Sequence, residues 1–137
     1  MNIDAIQNGI VIDHIPAGKA MELYHYLNLD KLDCSVAILK KVSSRKLGKK
    51  DMIKIDERID IDLDALGFLA PHCTVSFIQN GETVEKKTPQ LPDTLVNVIK
   101  CRNPRCITTI EQELKHVFTL SDREKGIYRC IYCETKA

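Results

Sequence analysis

Two close pairs of cysteines, Cys101-x4-Cys106 and Cys130-x2-Cys133, crowd the last 37 residues of the chain, with 23 residues between the pairs. They constrain the fold more than any other feature, because the segment that carries them cannot fold unaided. Pro89 and Pro92 restrict the backbone and remove donors, so neither a helix nor a central strand continues through Pro89–Asp93. Residues 93–137, beyond that boundary, are too few to bury a stable core and need a staple. Four thiolates on two tight turns can sit at the corners of a tetrahedron, which suits zinc. Four sulfur ligands leave no open position for water or substrate, so one Zn2+ per chain would be structural. Iron accepts the same donors, and four buried free thiols are the plainer alternative. A reactive C-x-x-C pair wants a helix N-terminus, whereas Cys130-x-x-Cys133 follows a strand close to the chain end.

Residues 1–92 read as a separate α+β unit. Gly9–Ile15, Ser35–Leu39, Met52–Asp56 and Thr74–Gln79 have strand character, and Gly18–Leu29 and Asp62–Leu69 have helical spacing. Asp62 is placed to cap the second helix. Asn80-Gly81 predicts a tight type I′ hairpin into Glu82–Lys87. The order β-α-β-β-α-β, with a final hairpin strand, is that of a split βαβ, ferredoxin-like sheet. Beyond Pro92 only short strands are expected, at Val96–Lys100, His116–Leu120 and Ile127–Cys130. Cys34 and Cys73 read as core thiols, and His116 as an ordinary surface or packing histidine.

The formal net charge of +1 argues against a protein that coats nucleic acid or acidic membranes. No apolar run approaches the ~18–20 residues of a membrane span. The N-terminus lacks the basic start and apolar stretch of a secretory signal, so a soluble cytoplasmic protein is expected. Neutrality conceals segregation, however. Lys40, Lys41, Arg45, Lys46, Lys49, Lys50 and Lys54 face a single acid, Asp51, and five acids follow between Asp56 and Asp64. Ser43–Lys50 reads as a polar, basic connection, and the basic side chains of Lys40–Lys49 as solvated. Lys54, on an apolar alternating strand, is different: with Lys50 and Lys86 it can form a phosphate site on the sheet surface. Strand alternation puts Asp13 on one face with Val11 and Ile15, and His14 on the other with Ile10 and Ile12. That arrangement keeps the two side chains apart. No nucleophile elbow, H-E-x-x-H motif or Gly-rich phosphate loop occurs; the chain offers binding chemistry without reaction chemistry.

Val11-Ile-Asp-His-Ile-Pro-Ala17, Gly48-Lys-Lys-Asp-Met-Ile-Lys-Ile55, Ala70-Pro71, Thr74-Val75, Cys101-x-Asn-x-x-Cys106-Ile107 and Cys130-x-x-Cys133 occur in that order. The ordered set resembles the regulatory chain of aspartate carbamoyltransferase over nearly the whole length. The resemblance implies a ferredoxin-like nucleotide-binding domain (1–92) and a small all-β, rubredoxin-like zinc domain (93–137), with no catalytic activity. It also implies homodimers formed through the first domain, a catalytic chain gripped by the second, catalytic trimers bridged by the dimers, and CTP and ATP as effectors. By position, Lys54 and Lys86 match phosphate-binding lysines, with Lys50 beside them. Asp13 and His14 match the ribose and phosphate neighbourhood, and Ile6, Val11 and Ile78 the base pocket. Ser76 and Thr83 complete the set. Ser76 and Arg105 stand where the family commonly has asparagine, and Gly81 where a bulkier residue often sits. Two other classes remain open: a zinc-ribbon nucleic-acid binder, for which Tyr132 is the only aromatic inside a cysteine loop, and a small redox or transferase enzyme.

Overall fold

Isoleucines at alternating positions sink one side of β1 (Gly9–Pro16) into the core, with Ile10 and Ile12 fully buried. The computed structural model describes residues 6–45 and 48–137, and the chain divides into two compact units, one ending at Gln90 and one beginning at Leu91. In the first, β1 is followed by α1 (Ala20–Tyr26), β2 (Val36–Ser44), β3 (Gly48–Ile55), α2 (Leu63–Leu69), β4 (Thr74–Gln79) and β5 (Glu82–Lys87). These strands form one antiparallel sheet in the order β2-β3-β1-β4-β5, the split βαβ arrangement extended by a hairpin strand. Ala20 and Leu23 of α1 and Leu66 of α2 pack with Ile10, Ile12, Ile53, Ile55 and Val75 in a single core.

Local chemistry accounts for the element ends. Asp62 Oδ1 accepts a hydrogen bond from Ala65 N–H at 3.1 Å, so the expected cap starts α2. Asn80 and Gly81 both have positive φ, 53° and 78°, as a type I′ hairpin requires. The first helix is shorter than its spacing suggests. It stops at Tyr26, Asn28 turns left-handed, and a 3-10 turn over Leu29–Lys31 follows. Leu27 and Leu29 reach the core from this turn without a longer helix. Gly67 of α2 lies so close to the Gln90 carbonyl oxygen that any side chain there would collide with it.

Two expectations for the strands need correction. Ser43–Lys50 is not a loop: β2 runs through Ser44, β3 starts at Gly48, and Val42 pairs with Lys50 and Ser43 with Lys49. Lys46, from the same basic run, lies outside the described residues. Simple alternation also fails at Asp13-His14. Ile12 pairs with Ile53 and Ile15 with Asp51, so β1 spends three steps where β3 spends two. This is a β-bulge, with His14 at φ 57°. The extra residue returns Ile15 to the core beside Ile10 and Ile12, instead of leaving it on the side of Asp13.

The second unit carries β6 (Thr94–Val96), α3 (Ile107–Ile110), β7 (Val117–Asp122) and β8 (Ile127–Cys130), with sheet order β6-β7-β8. Its buried apolar residues include Leu95, Phe118 and Tyr128, and Tyr128 Oη donates to the Pro92 carbonyl at 2.6 Å. The first strand lies earlier than expected because Asn97 turns left-handed (φ 56°) and its N–H donates to His116 O at 2.7 Å. The four-residue helix α3, which begins directly after Cys106, corrects the expectation of strands alone. Among the described residues, no helix is long and apolar enough to cross a membrane.

Candidate functional site

On the sheet face turned away from the isoleucine core, four neighbouring strands align a single row. Lys54 of β3 pairs with Val11 of β1, Val11 with Ser76 of β4, and Ser76 with Lys86 of β5. Three strand spacings place the two lysine Cα atoms about 14 Å apart. At one end of this row Ile78 pairs with Gly9 and with Thr83. A bulge in β5 lets Thr83 and Lys86 oppose Ile78 and Ser76 in turn, although they are three residues apart in sequence. Ile6, half-buried, approaches Gly9 at the same end. The adjoining chain is tied to the hairpin turn by Gly81 N–H donating to Gln7 O at 2.8 Å.

At the other end the β1 bulge brings together residues that alternation would separate. Lys50 Nζ lies 2.9 Å from Asp13 Oδ1, His14 Nδ1 lies 4.0 Å from Asp13 Oδ2, and Thr74 Oγ1 is 3.2 Å from His14 Nδ1. The bulge thus brings the Asp13 and His14 side chains near each other, contrary to the expectation from strand alternation, at a separation too long for a hydrogen bond between them. Burial tends to raise the Asp13 pKa, but the Lys50 hydrogen bond, the His14 N–H and the nearby positive charge together hold it below its ordinary value. Lys54 differs from Lys50. It is half-buried, and among the described residues no carboxylate pairs with it or with Lys86.

Behind this face sits Asp51, fully buried and missed in the sequence, where it counted only as the lone acid of a basic run. Its Oδ2 accepts from Gly18 N–H at 2.9 Å and Ala20 N–H at 3.1 Å, and its Oδ1 from Lys41 N–H at 2.9 Å.

In the second unit the four cysteine sulfurs all lie within 4.8 Å of one another. Cys101 Sγ is 3.5 Å from Cys133 Sγ, and Cys106 Sγ is 3.7 Å from Cys130 Sγ. Zn–S bonds of about 2.3 Å in a tetrahedron imply S···S edges of about 3.8 Å, so this donor set fits such an ion. No disulfide links them. The shell around the sulfurs suits thiolates. Thr108 Oγ1 lies 3.1 Å from Cys106 Sγ and Thr135 Oγ1 3.2 Å from Cys133 Sγ. Backbone N–H groups of Asn103, Thr108 and Thr135 point at Cys101, Cys106 and Cys133 respectively. The Thr135 hydroxyl and amide bring the Cys133 thiol down to about 6, and the Thr108 hydroxyl lowers Cys106. Burial pushes Cys101 up to about 12, so a central cation is what would keep it ionised at neutral pH. The sequence signal for these hydroxyls is a repeated Cys-x-Thr, Cys106-Ile-Thr108 and Cys133-Glu-Thr135. His116 is more than packing: its Nδ1 accepts from Cys101 N–H at 3.1 Å and so props the first cysteine loop. Ile107, Ile110, Leu114, Ile131 and Tyr132 are exposed in the same unit.

Comparison with known proteins covers both units. Residues 1–90 match the family model for the aspartate carbamoyltransferase regulatory chain, allosteric domain, and residues 93–137 match its metal binding domain. Aspartate carbamoyltransferase regulatory chains resemble this chain along its length. That of Bifidobacterium longum is 46% identical over 137 residues, covering 100% of this chain and 99% of that protein. Those of Clostridium botulinum (48% over 134 residues; 98% and 92%) and Clostridium tetani (47% over 135 residues; 98% and 94%) are similarly related.

Proposed function

Because the chain belongs to the family of aspartate carbamoyltransferase regulatory chains, we propose that it binds nucleoside triphosphates on the open face of its first sheet and passes that signal to a catalytic chain held by its metal unit. It is a regulatory chain of an enzyme of pyrimidine biosynthesis, not the catalytic subunit. The carrying observation is Lys54. A half-buried ammonium with no carboxylate partner among the described residues, in one row with Lys86, is a ready anchor for phosphate. In this reading Lys50, oriented by Asp13, and His14 serve the phosphate and ribose end. Val11, Ile6 and Ile78 serve the base, with Ser76 and Thr83 contributing polar contacts. The metal is Zn2+, held by Cys101, Cys106, Cys130 and Cys133, and reduced thiols used this way suit the cytoplasm. The exposed apolar residues beside the cysteine loops give the catalytic chain a surface to grip. Two copies join through the first unit and bridge catalytic trimers.

Lys54→Ala should weaken binding of CTP or ATP to the intact chain by about ten- to a hundredfold in calorimetry, the worth of a charge-assisted hydrogen bond of roughly 1.5–3 kcal/mol. Lys49→Ala, at an exposed position of the same strand, should change it little. Equal losses at both positions would indicate a diffuse basic patch.

On the assembled enzyme, nucleotide should shift the aspartate saturation curve. A ligand moves a quaternary equilibrium only by its differential affinity for the two states, commonly about 1–3 kcal/mol. A bisubstrate analogue must then alter nucleotide affinity by the same factor. Curves unmoved by any nucleotide, with nucleotide affinity unmoved by the analogue, would leave a structural bridge without regulation.

A further inference from the structure

We infer that Asp51 is the positioning residue of the nucleotide site, acting from the far side of the sheet through the backbone to set Lys50 and Asp13; the inference rests on the function proposed above. Among the described residues, the hydrogen bonds of Asp51 go to backbone N–H groups and not to side chains of the open face. Its carboxylate is buried and takes three backbone N–H groups: Gly18 and Ala20, where the chain leaves β1 for α1, and Lys41 in β2. Lys41 stands at φ 58° in a second bulge, where β2 takes three steps from Leu39 to Val42 while β3 takes two from Met52 to Lys50. Both strands that flank β3 are thus bulged beside Asp51. On one side is the bulge that turns Asp13 and His14 toward the same place; on the other is the bulge that sets the pairing of Lys50. Bulges re-aim side chains, and a bulge with a residue at positive φ persists only where its surroundings hold it. One buried anion bonded to both flanking segments supplies that hold. Lys50, the residue before Asp51, is the one that reaches Asp13 at 2.9 Å.

The test uses ATP and AMP as probes, by calorimetry on the intact chain at a temperature well below its melting point. Asp51→Asn keeps the volume and one acceptor, but turns an NH2 toward a backbone donor. ATP affinity should fall about tenfold and AMP affinity by a clearly smaller factor, because Lys50 answers to the larger phosphate charge of ATP whereas the ribose contacts are common to both. Combining Asp51→Asn with Lys50→Ala should cost less than the product of the two single losses, since one acts through the other. If Asp51→Asn does not fold, Lys41→Val replaces it. A β-branched residue opposes the left-handed turn at this exposed position, whereas Lys41→Gly removes the same charge and accepts the turn. Lys41→Val should reproduce the selective ATP loss and Lys41→Gly should not. A folded variant that binds ATP as well as the parent, or loses ATP and AMP equally, overturns the positioning role. Failure of the parent chain to bind either nucleotide would instead overturn the function on which it rests.

Discussion

Stripping the metal with a chelator should unfold the second unit and detach the chain from its catalytic partner, while the five-stranded sheet of the first unit stays intact. The second unit has few large buried side chains, chiefly Leu95, Phe118 and Tyr128, and it buries Cys101, Cys106 and Cys130 with them. Binding of structural zinc to small modules is worth about 10–16 kcal/mol at neutral pH, far more than so small a core contributes. Without the ion, four thiols crowded within 4.8 Å must share a site whose burial disfavours a thiolate at Cys101. Cys106→Ala should have the same effect as the chelator. Far-UV circular dichroism should fall only in part, the remaining cluster thiols should become reactive, and size-exclusion with the catalytic chain should show no complex. Normal assembly of a metal-free Cys106→Ala chain would show that the cluster is not what holds this unit together.

The second large effect belongs to the first unit. Asp51→Ala should lower its stability by about 3–5 kcal/mol, since three backbone N–H groups lose their acceptor where the carboxylate is fully buried, and each such orphan costs about 1–3 kcal/mol. For a unit of this size that corresponds to a fall in melting temperature of ~12 °C or more. Metal content should not change, which separates the effect from damage to the cysteine cluster. A loss below about 1 kcal/mol would mean that water satisfies the three donors in place of the carboxylate.

Legibility in the sequence followed the range of the physics only in part. Some features that depend on neighbours a few residues apart stand as read, since Asp62 caps α2 and Asn80-Gly81 makes the hairpin, whereas the end of α1 and the helix after Cys106 do not; the paired cysteines converge as expected. The strand order was legible too, because β-α-β-β-α-β leaves few ways to close one sheet. The features of the first site that stayed hidden depend on pairing between distant segments. A bulge is one surplus residue in one strand relative to its partner, so nothing in Ile12–Ile15 alone reveals it, and the placing of Asp13 and His14 was misread accordingly. Asp51 looked like one acid among lysines because its three partners, Gly18, Ala20 and Lys41, are backbone groups whose side chains carry no sign of the contact. The Cys-x-Thr repeat was visible, and became meaningful only when the threonine hydroxyls were found against the sulfurs.

The paired bulges also bear on which changes of length this chain can accept. Deleting either Asp13 or His14 would bring β1 into step with β3 and leave Ile15 opposite Asp51 and Pro16 opposite Lys50. What it would remove is the bulge itself: the residue left between Ile12 and Ile15 would follow plain alternation, and the meeting of Asp13, His14 and Lys50 would be lost. The same holds for Lys40 and Lys41 in β2, where the loss of one residue would keep Val42 opposite Lys50 but erase the bulge whose Lys41 N–H donates to Asp51. An exposed side chain such as that of Lys40 can be exchanged freely so long as the number of residues is kept. In these two stretches the spacing between anchor points is the inherited quantity, and an insertion or deletion of one residue does more harm than most replacements.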